Sequence, residues 1–220
     1  MLGDEGYRRE AMGAFTHEIR TPITSIRMVM ELARRQSKAG RLRLDAELAR
    51  MLNASVDDLQ RLADELQELS RMERGKVAIS QGPCDLAAAF EAARELAGKD
   101  IEIAGEAPEG IEGPWDAPRL VHAIAGFANA ANRIGNGSGE VQFRHDLKPS
   151  WTTLTFESGQ PASETKPVAA DAGFAFFRSR QLILAMGGAV VCIRSERYAK
   201  IVVHLPLHLA GQLAEGAHTE

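Results

Sequence analysis

From Phe15 to Leu69 the chain carries two long stripes of apolar residues spaced three and four apart, and this pattern constrains the fold more than any other feature. Phe15, Ile19, Ile23, Ile26, Met30 and Ala33 form the first stripe; Leu48, Leu52, Leu59, Leu62, Leu66 and Leu69 form the second. A helical period brings each set onto one side of a helix, whereas a strand would send alternate members to opposite faces. Between them Ser37-Lys38-Ala39-Gly40-Arg41 carries a polar, glycine-containing turn signal. The two helices are therefore predicted to fold back as an antiparallel hairpin. A single hairpin has a long seam and little to bury it. Two hairpins joined as a four-helix bundle would cover it, which predicts a homodimer through this region.

After Gly75 the pattern changes. Short β-rich runs at 101–103, 141–143, 152–156, 190–193 and 201–204 alternate with helical stretches at about 86–97, 117–133 and 174–186. Each helical stretch has an apolar face, so the expected second unit is an α+β domain with helices covering one side of a mixed sheet. The boundaries read as 1–76 for the hairpin, 77–210 for the α+β unit and 211–220 for a polar tail. The length of 220 residues suits two such units.

Composition removes several functions. The net charge of −4 supplies no clustered basic surface for a nucleic-acid backbone. Two cysteines, Cys84 and Cys192, are too few for a disulfide scaffold and lack the close spacing of a zinc site, and a cytoplasmic location is the expectation. No apolar run approaches the roughly 20 residues that span a bilayer, so no membrane insertion is expected of this segment.

Around the first helix, at about 100° per residue, His17 falls roughly 170° from the centre of the apolar stripe and is predicted to face water. A lone histidine would say little. Its surroundings, Phe15-Thr16-His17-Glu18-Ile19-Arg20-Thr21-Pro22-Ile23-Thr24-Ser25-Ile26, resemble the phosphoacceptor motif of two-component histidine kinases almost residue for residue. A neutral imidazole nitrogen is a good nucleophile near neutral pH, and an exposed one on a rigid helix can meet a phosphoryl donor in line. Glu18 could accept the ring proton or orient the ring. The resemblance implies that Glu18 supports phosphotransfer and that Thr21 orients a water for dephosphorylating a partner regulator. Pro22 lacks an N–H, so a bend one turn after His17 is expected. Thr24, Ser25 and the apolar Met28 lie where, by the same resemblance, a response-regulator receiver domain docks.

The second unit resembles the ATP-binding domain of the same family, an α/β sandwich of the histidine kinase ATPase type, beginning near Cys84-Asp85-Leu86. Ala125-Gly126-Phe127-Ala128-Asn129-Ala130 aligns with its asparagine box. Asn129 matches the magnesium-binding position, while Ala125 and Asn132 replace the box's earlier asparagine and its basic residue. Glu157-Ser158-Gly159-Gln160-Pro161 occupies the place of the Asp-x-Gly-x-Gly box, which implies adenine contacts from Glu157 and Gly159. Gly173-Phe174-Ala175-Phe176 stands in for the second glycine box with Gly173 retained. Ala162 to Ala172 is too short for the family's nucleotide lid. ATP and magnesium are the cofactors implied, and these departures together argue against tight ATP binding. The leading expectation is a histidine phosphotransfer protein with a kinase-like fold, exchanging phosphate through His17 with a receiver aspartate. A sensor kinase autophosphorylating His17 from ATP, and a pseudokinase scaffold or phosphatase, are the alternatives.

Overall fold

The structure is a computed structural model that describes residues 4–36, 44–74, 78–98, 100–135, 137–160, 173–195 and 197–208. The turn expected at Ser37–Arg41, the short segment Ala162 to Ala172 that stands in place of a lid and the polar tail lie outside the described residues.

Two long helices open the chain, α1 (Asp4–Arg35) and α2 (Ala46–Glu73). The Asp45 side chain caps α2 by accepting from the Leu48 N–H, which gives one of the helix's orphan donors a partner. Arg8 near the start of α1 pairs with Glu73 at the end of α2, and Val29 and Ala33 near the end of α1 pack with Leu48 at the start of α2. The hairpin is therefore antiparallel, as its spacing predicted. Pro22 is accommodated inside α1, and the helix is continuous through it.

The buried residues of the hairpin differ from the stripes read off the sequence. Ala11, Ala14, Phe15, Val29 and Ala33 are buried on α1, and Leu48, Ser55, Leu62 and Leu69 on α2. Ile23 is 43% exposed, and Ile19, Ile26 and Met30 are half-buried. Each helix carries an apolar arc wider than one neighbour can cover: the 48, 55, 62, 69 series meets the rest of the chain, while Leu52, Val56 and Leu59 lie along a second, wetter line.

The remaining elements are β1 (Gly82–Asp85), α3 (Leu86–Ala97), β2 (Glu102–Ala104), β3 (Glu112–Trp115), α4 (Ala117–Ile134), β4 (Glu140–Leu147), β5 (Trp151–Gly159), α5 (Gly173–Ala185), β6 (Ala189–Ser195) and β7 (Tyr198–Pro206). Five strands form a mixed sheet in the order β2-β4-β5-β7-β6, parallel only between β2 and β4. β1 and β3 make a separate antiparallel pair, tied to the sheet where the Trp115 Nε1–H donates to the Pro206 carbonyl at 2.7 Å. Asp85 and Asp116 cap α3 and α4 through the Ala88 and Arg119 N–H groups.

Alternation sets the layer. Thr152, Leu154, Phe156 and Ser158 of β5 and Ala199, Ile201, Val203 and Leu205 of β7 turn to one face and are buried. Phe127 of α4 packs there against Phe156 with ring centroids 6.0 Å apart, and Phe90 of α3 meets Phe143 of β4 at 4.1 Å. Helices thus cover one side of the sheet, completing a helical hairpin followed by an α/β sandwich. The two parts share one apolar cluster that runs from Ala11, Phe15, Leu62 and Leu69 into Phe174 and the sheet. Phe15 and Phe174 meet at 4.8 Å between ring centroids.

Candidate phosphoacceptor site

The exposed side of α1 presents His17, Thr21, Thr24 and Met28 in succession, a strip about 16 Å long at the helical rise. His17 faces water, as its angular position required. Thr21 lies one turn on and is exposed, Ser25 is half-buried, and Met28 is 50% exposed. The Thr24 hydroxyl donates to the Arg20 carbonyl of its own helix at 2.8 Å. A rigid helix beneath these side chains holds a nucleophile accessible from outside with little freedom to lose on reaction.

Glu18 turns toward the C-terminal unit. Its carboxylate lies 3.5 Å from the Arg133 guanidinium of α4, with the Glu18 side chain 31% exposed. On the neighbouring α2, Glu68 takes Arg178 of α5 at 2.7 Å and Arg119 of α4 at 3.5 Å, and Glu65 lies 3.9 Å from Arg178. Three arginines of the C-terminal unit therefore grip acids of the hairpin around the Phe15–Phe174 contact.

A cleft of about 1110 Å³ opens between α2 and α4. Asp57, Asp64 and Glu65 line its α2 side; His122, Asn129 and Arg133 line its α4 side. Burial, and next the nearby Arg178, lower the pKa of the His122 imidazole, while Glu68 and Glu65 oppose the shift. Asn129 donates its side-chain amide to the Ala125 carbonyl one turn back on α4, at 2.9 Å. Gly173 begins α5 with φ +81°, and the Arg133 guanidinium lies against it where any side chain would have to pass.

Of the residues expected to form a nucleotide site, Asn129 and Gly173 share the α4–α5 side, and Glu157 does not join them. Successive side chains of β5 alternate faces, and Glu157 points away from the helices. There it pairs with Lys200 of β7 at 2.7 Å and approaches Arg144 of β4 at 3.9 Å. The inward residue at this point is Ser158, whose hydroxyl donates to the Glu140 carbonyl at 3.0 Å. One residue along a strand reverses the face, so Glu157 and Asn129 lie on opposite sides of the sheet. Gly159 has φ +83° and lies so close to the Arg197 carbonyl that a Cβ would collide with it, so the tight approach of the β5–β7 end accounts for this glycine. Among the described residues no group of His, Cys, Asp and Glu is arranged to hold a metal ion.

The arginines are what sequence reasoning overlooked. Arg133 lies one turn beyond Asn129 on the same helix, a signal that was readable, but its partner Glu18 is 115 residues away. Ser158 was readable too, since Leu154, Phe156 and Ser158 keep the strand's period of two.

Residues 7–75 match the family model of the His Kinase A (phospho-acceptor) domain. The whole arrangement is similar to the Acinetobacter baumannii histidine kinase AdeS, with a TM-score of 0.65 and 17% identity, covering 87% of this chain and 98% of that one. The hairpin thus matches a phosphoacceptor domain model, and the chain shares the fold of a histidine kinase structure. Among curated proteins it is similar to the signal transduction histidine-protein kinase BaeS of Escherichia coli (strain K12), 26% identical over 159 residues covering 70% of this chain. It spans 33% of that relative's length. Two further solved structures share the fold: full-length ShkA in complex with AMPPNP (TM-score 0.56, 21% identity, 92% of this chain and 46% of that) and the histidine kinase ThkA in complex with response regulator protein TrrA (TM-score 0.55, 17% identity, 87% and 59%). No helix among the described residues is long and apolar enough to cross a membrane.

Proposed function

We propose that this chain exchanges phosphoryl groups between His17 and an aspartate of a response-regulator receiver domain, and that it binds Mg-ATP weakly or not at all. The observation that carries the reading is His17 standing exposed on a continuous helix inside a matched phosphoacceptor domain, with Glu18 beside it. In the transfer a ring nitrogen attacks the aspartyl phosphorus, a P–N bond forms, the P–O bond breaks and the aspartate carboxylate is released. The second ring N–H proton passes to Glu18 or to water. Thr21, Thr24, Ser25 and Met28 offer the receiver a mostly exposed surface that the docked C-terminal unit leaves open. A second copy of the chain is the other partner: Met12, Ile23 and Val56 are each more than 40% exposed on the hairpin, and bundle pairing would bury them.

Support for weak nucleotide binding comes from the α4–α5 side. ATP needs polar groups converging on adenine and an open backbone cradle for phosphates. Here Glu157 faces the other side of the sheet, Ala125 is a buried methyl, and Arg133 lies across Gly173. Asn129 lines the cleft, but alanine stands at 125 where the family has the box's earlier asparagine. These residues do not fit the group. Asn129 also favours one second reading, an autokinase of low ATP affinity.

One experiment separates them. The full chain is incubated with labelled Mg-ATP and, in parallel, with a labelled phospho-receiver, and acid-labile label is followed with His17→Ala as control. Label from the receiver alone is the expected result. Label from ATP at His17 selects the autokinase, and no label at His17 from either donor overturns the phosphoacceptor reading.

A further inference from the structure

Arg119 of α4 and Arg178 of α5 converge on one carboxylate, and that carboxylate belongs to the hairpin. Glu68 of α2 sets its Oε2 against two N–H groups of Arg178, Nε at 3.1 Å and Nη2 at 2.7 Å. Its Oε1 lies 3.5 Å from Arg119 Nε. Both guanidinium groups are held from elsewhere as well. Arg119 donates through Nη1 to the Asp116 carboxylate and, at 3.3 Å, to the Ala78 carbonyl. Arg178 has a side chain only 15% exposed, with its Nη1 3.9 Å from Glu65. His122 follows Arg119 by one turn, and its imidazole feels the charges of Arg178, Glu68 and Glu65. All five side chains line the open cleft between α2 and α4.

Glu68 fills this notch incompletely. The edge of a guanidinium offers two N–H groups suited to two acceptor oxygens, and here both go to one. The Arg119 Nε–H is shielded from solvent and finds no hydrogen-bond acceptor among the described residues. A shielded donor left without a partner is a cost that a docking ion pair alone does not explain. A tetrahedral oxyanion has the oxygens the notch lacks, two for the Arg178 edge and a third for Arg119. We infer that Arg119 and Arg178 form an anion site of the sandwich for a phosphate-type oxyanion, with Glu68 as its internal competitor. The notch stands apart from Asn129, which lies about two turns beyond His122 on α4. Because α2 carries the competitor, a bound ion and the Glu68 contact exclude each other. Binding therefore removes one tie between hairpin and sandwich and leaves the Phe15–Phe174 contact as another.

Inorganic phosphate and glycerol phosphate are titrated into the full chain by calorimetry at constant ionic strength, because added salt alone would screen the ion pair. The inference expects Glu68→Gln to bind phosphate with a dissociation constant of about a millimolar. Wild type, whose own carboxylate holds the notch, should bind at least about tenfold more weakly. Glu68→Ala, which empties the notch, should behave as Glu68→Gln does, so a dock disturbed by one substitution leaves the other to decide. In the Glu68→Gln background, Arg178→Met should abolish saturation and Arg119→Met should weaken it, with circular dichroism unchanged. The His122 ring signal in nuclear magnetic resonance should move with the same saturation. Binding of both compounds identifies a phosphoryl group as the ligand, and binding of phosphate alone identifies the free ion. No saturation in either Glu68 variant, equal affinity in wild type and both variants, binding that survives Arg178→Met, or saturation that leaves His122 unmoved overturns the inference.

Discussion

The outer side of α1 and the α4–α5 side of the sandwich have fared differently. On α1 the proposed transfer needs a nucleophile, a neighbouring acid and an open approach, and His17, Glu18 and the exposed strip to Met28 lie together on one helix to serve it. On α4 and α5 Phe127, Phe156, Phe174 and Phe176 are fully packed, while Glu157 faces the other side of the sheet and position 125 is alanine, the two features on which the proposal of weak nucleotide binding rests. Packing is spread over many apolar side chains and tolerates exchange at conserved volume, whereas a binding site rests on a few atoms and can be lost by a handful of changes. The sandwich retains a structural reason to persist, because its apolar cluster is continuous with that of the hairpin.

The comparison breaks most sharply at His17. Replacing it with Ala should reduce phosphoryl transfer from a phospho-receiver to background while far-ultraviolet circular dichroism stays unchanged, since the side chain is exposed and nothing packs on it as a core. Phe174→Ala should do the reverse: with the ring fully buried between α1 and the sandwich, a loss of about 3–5 kcal/mol is expected in urea unfolding. If that variant unfolds in two separated steps, the hairpin and sandwich are held as one unit through this ring. Asp116→Ala comes next. Asp116 accepts from the Ser80 and Arg119 N–H groups and is 3% exposed, so its removal uncaps α4 and orphans a donor, at a cost of about 1–3 kcal/mol.

The smallest effect belongs to Glu157 on the far side of the sheet. Its hydrogen bond to Lys200 is the main cause raising that ammonium above its ordinary value. A raised folded-state value means the stabilisation is complete below the unfolded lysine value of about 10.4 and is lost as pH rises through the folded one. Glu157→Gln should flatten this alkaline loss, cost no more than about 1 kcal/mol at neutral pH because Lys200 is partly exposed, and leave phosphoryl transfer unaltered. A clear drop in transfer would bring the outer sheet face into the mechanism.

Much of the fold was legible because periodicity is local. The stripes from Phe15 to Leu69 fix a hairpin, and the apolar runs of β4, β5, β6 and β7 are strong strand signals. β1 and β3 escaped notice: Gly82-Pro83-Cys84-Asp85 and Glu112-Gly113-Pro114-Trp115 contain the residues that usually interrupt strands, and they pair only with each other. The acceptor half of the proposed site could be read from the sequence for the same local reason, since His17, Glu18 and Thr21 lie within five residues. The other half was not. Motif alignment gives no face for Glu157, which only the pleat of β5 sets, and the contacts of Arg133 and Arg178 with α1 and α2 join residues more than a hundred positions apart.

The contrast between the two faces is tested most directly by titrating Mg-ATP into the full chain by calorimetry. The account predicts no saturable heat up to about millimolar nucleotide, corresponding to binding weaker than about −4 kcal/mol. Saturation with a micromolar dissociation constant would contradict it, and would show that Asn129 and its neighbours still form a working nucleotide site.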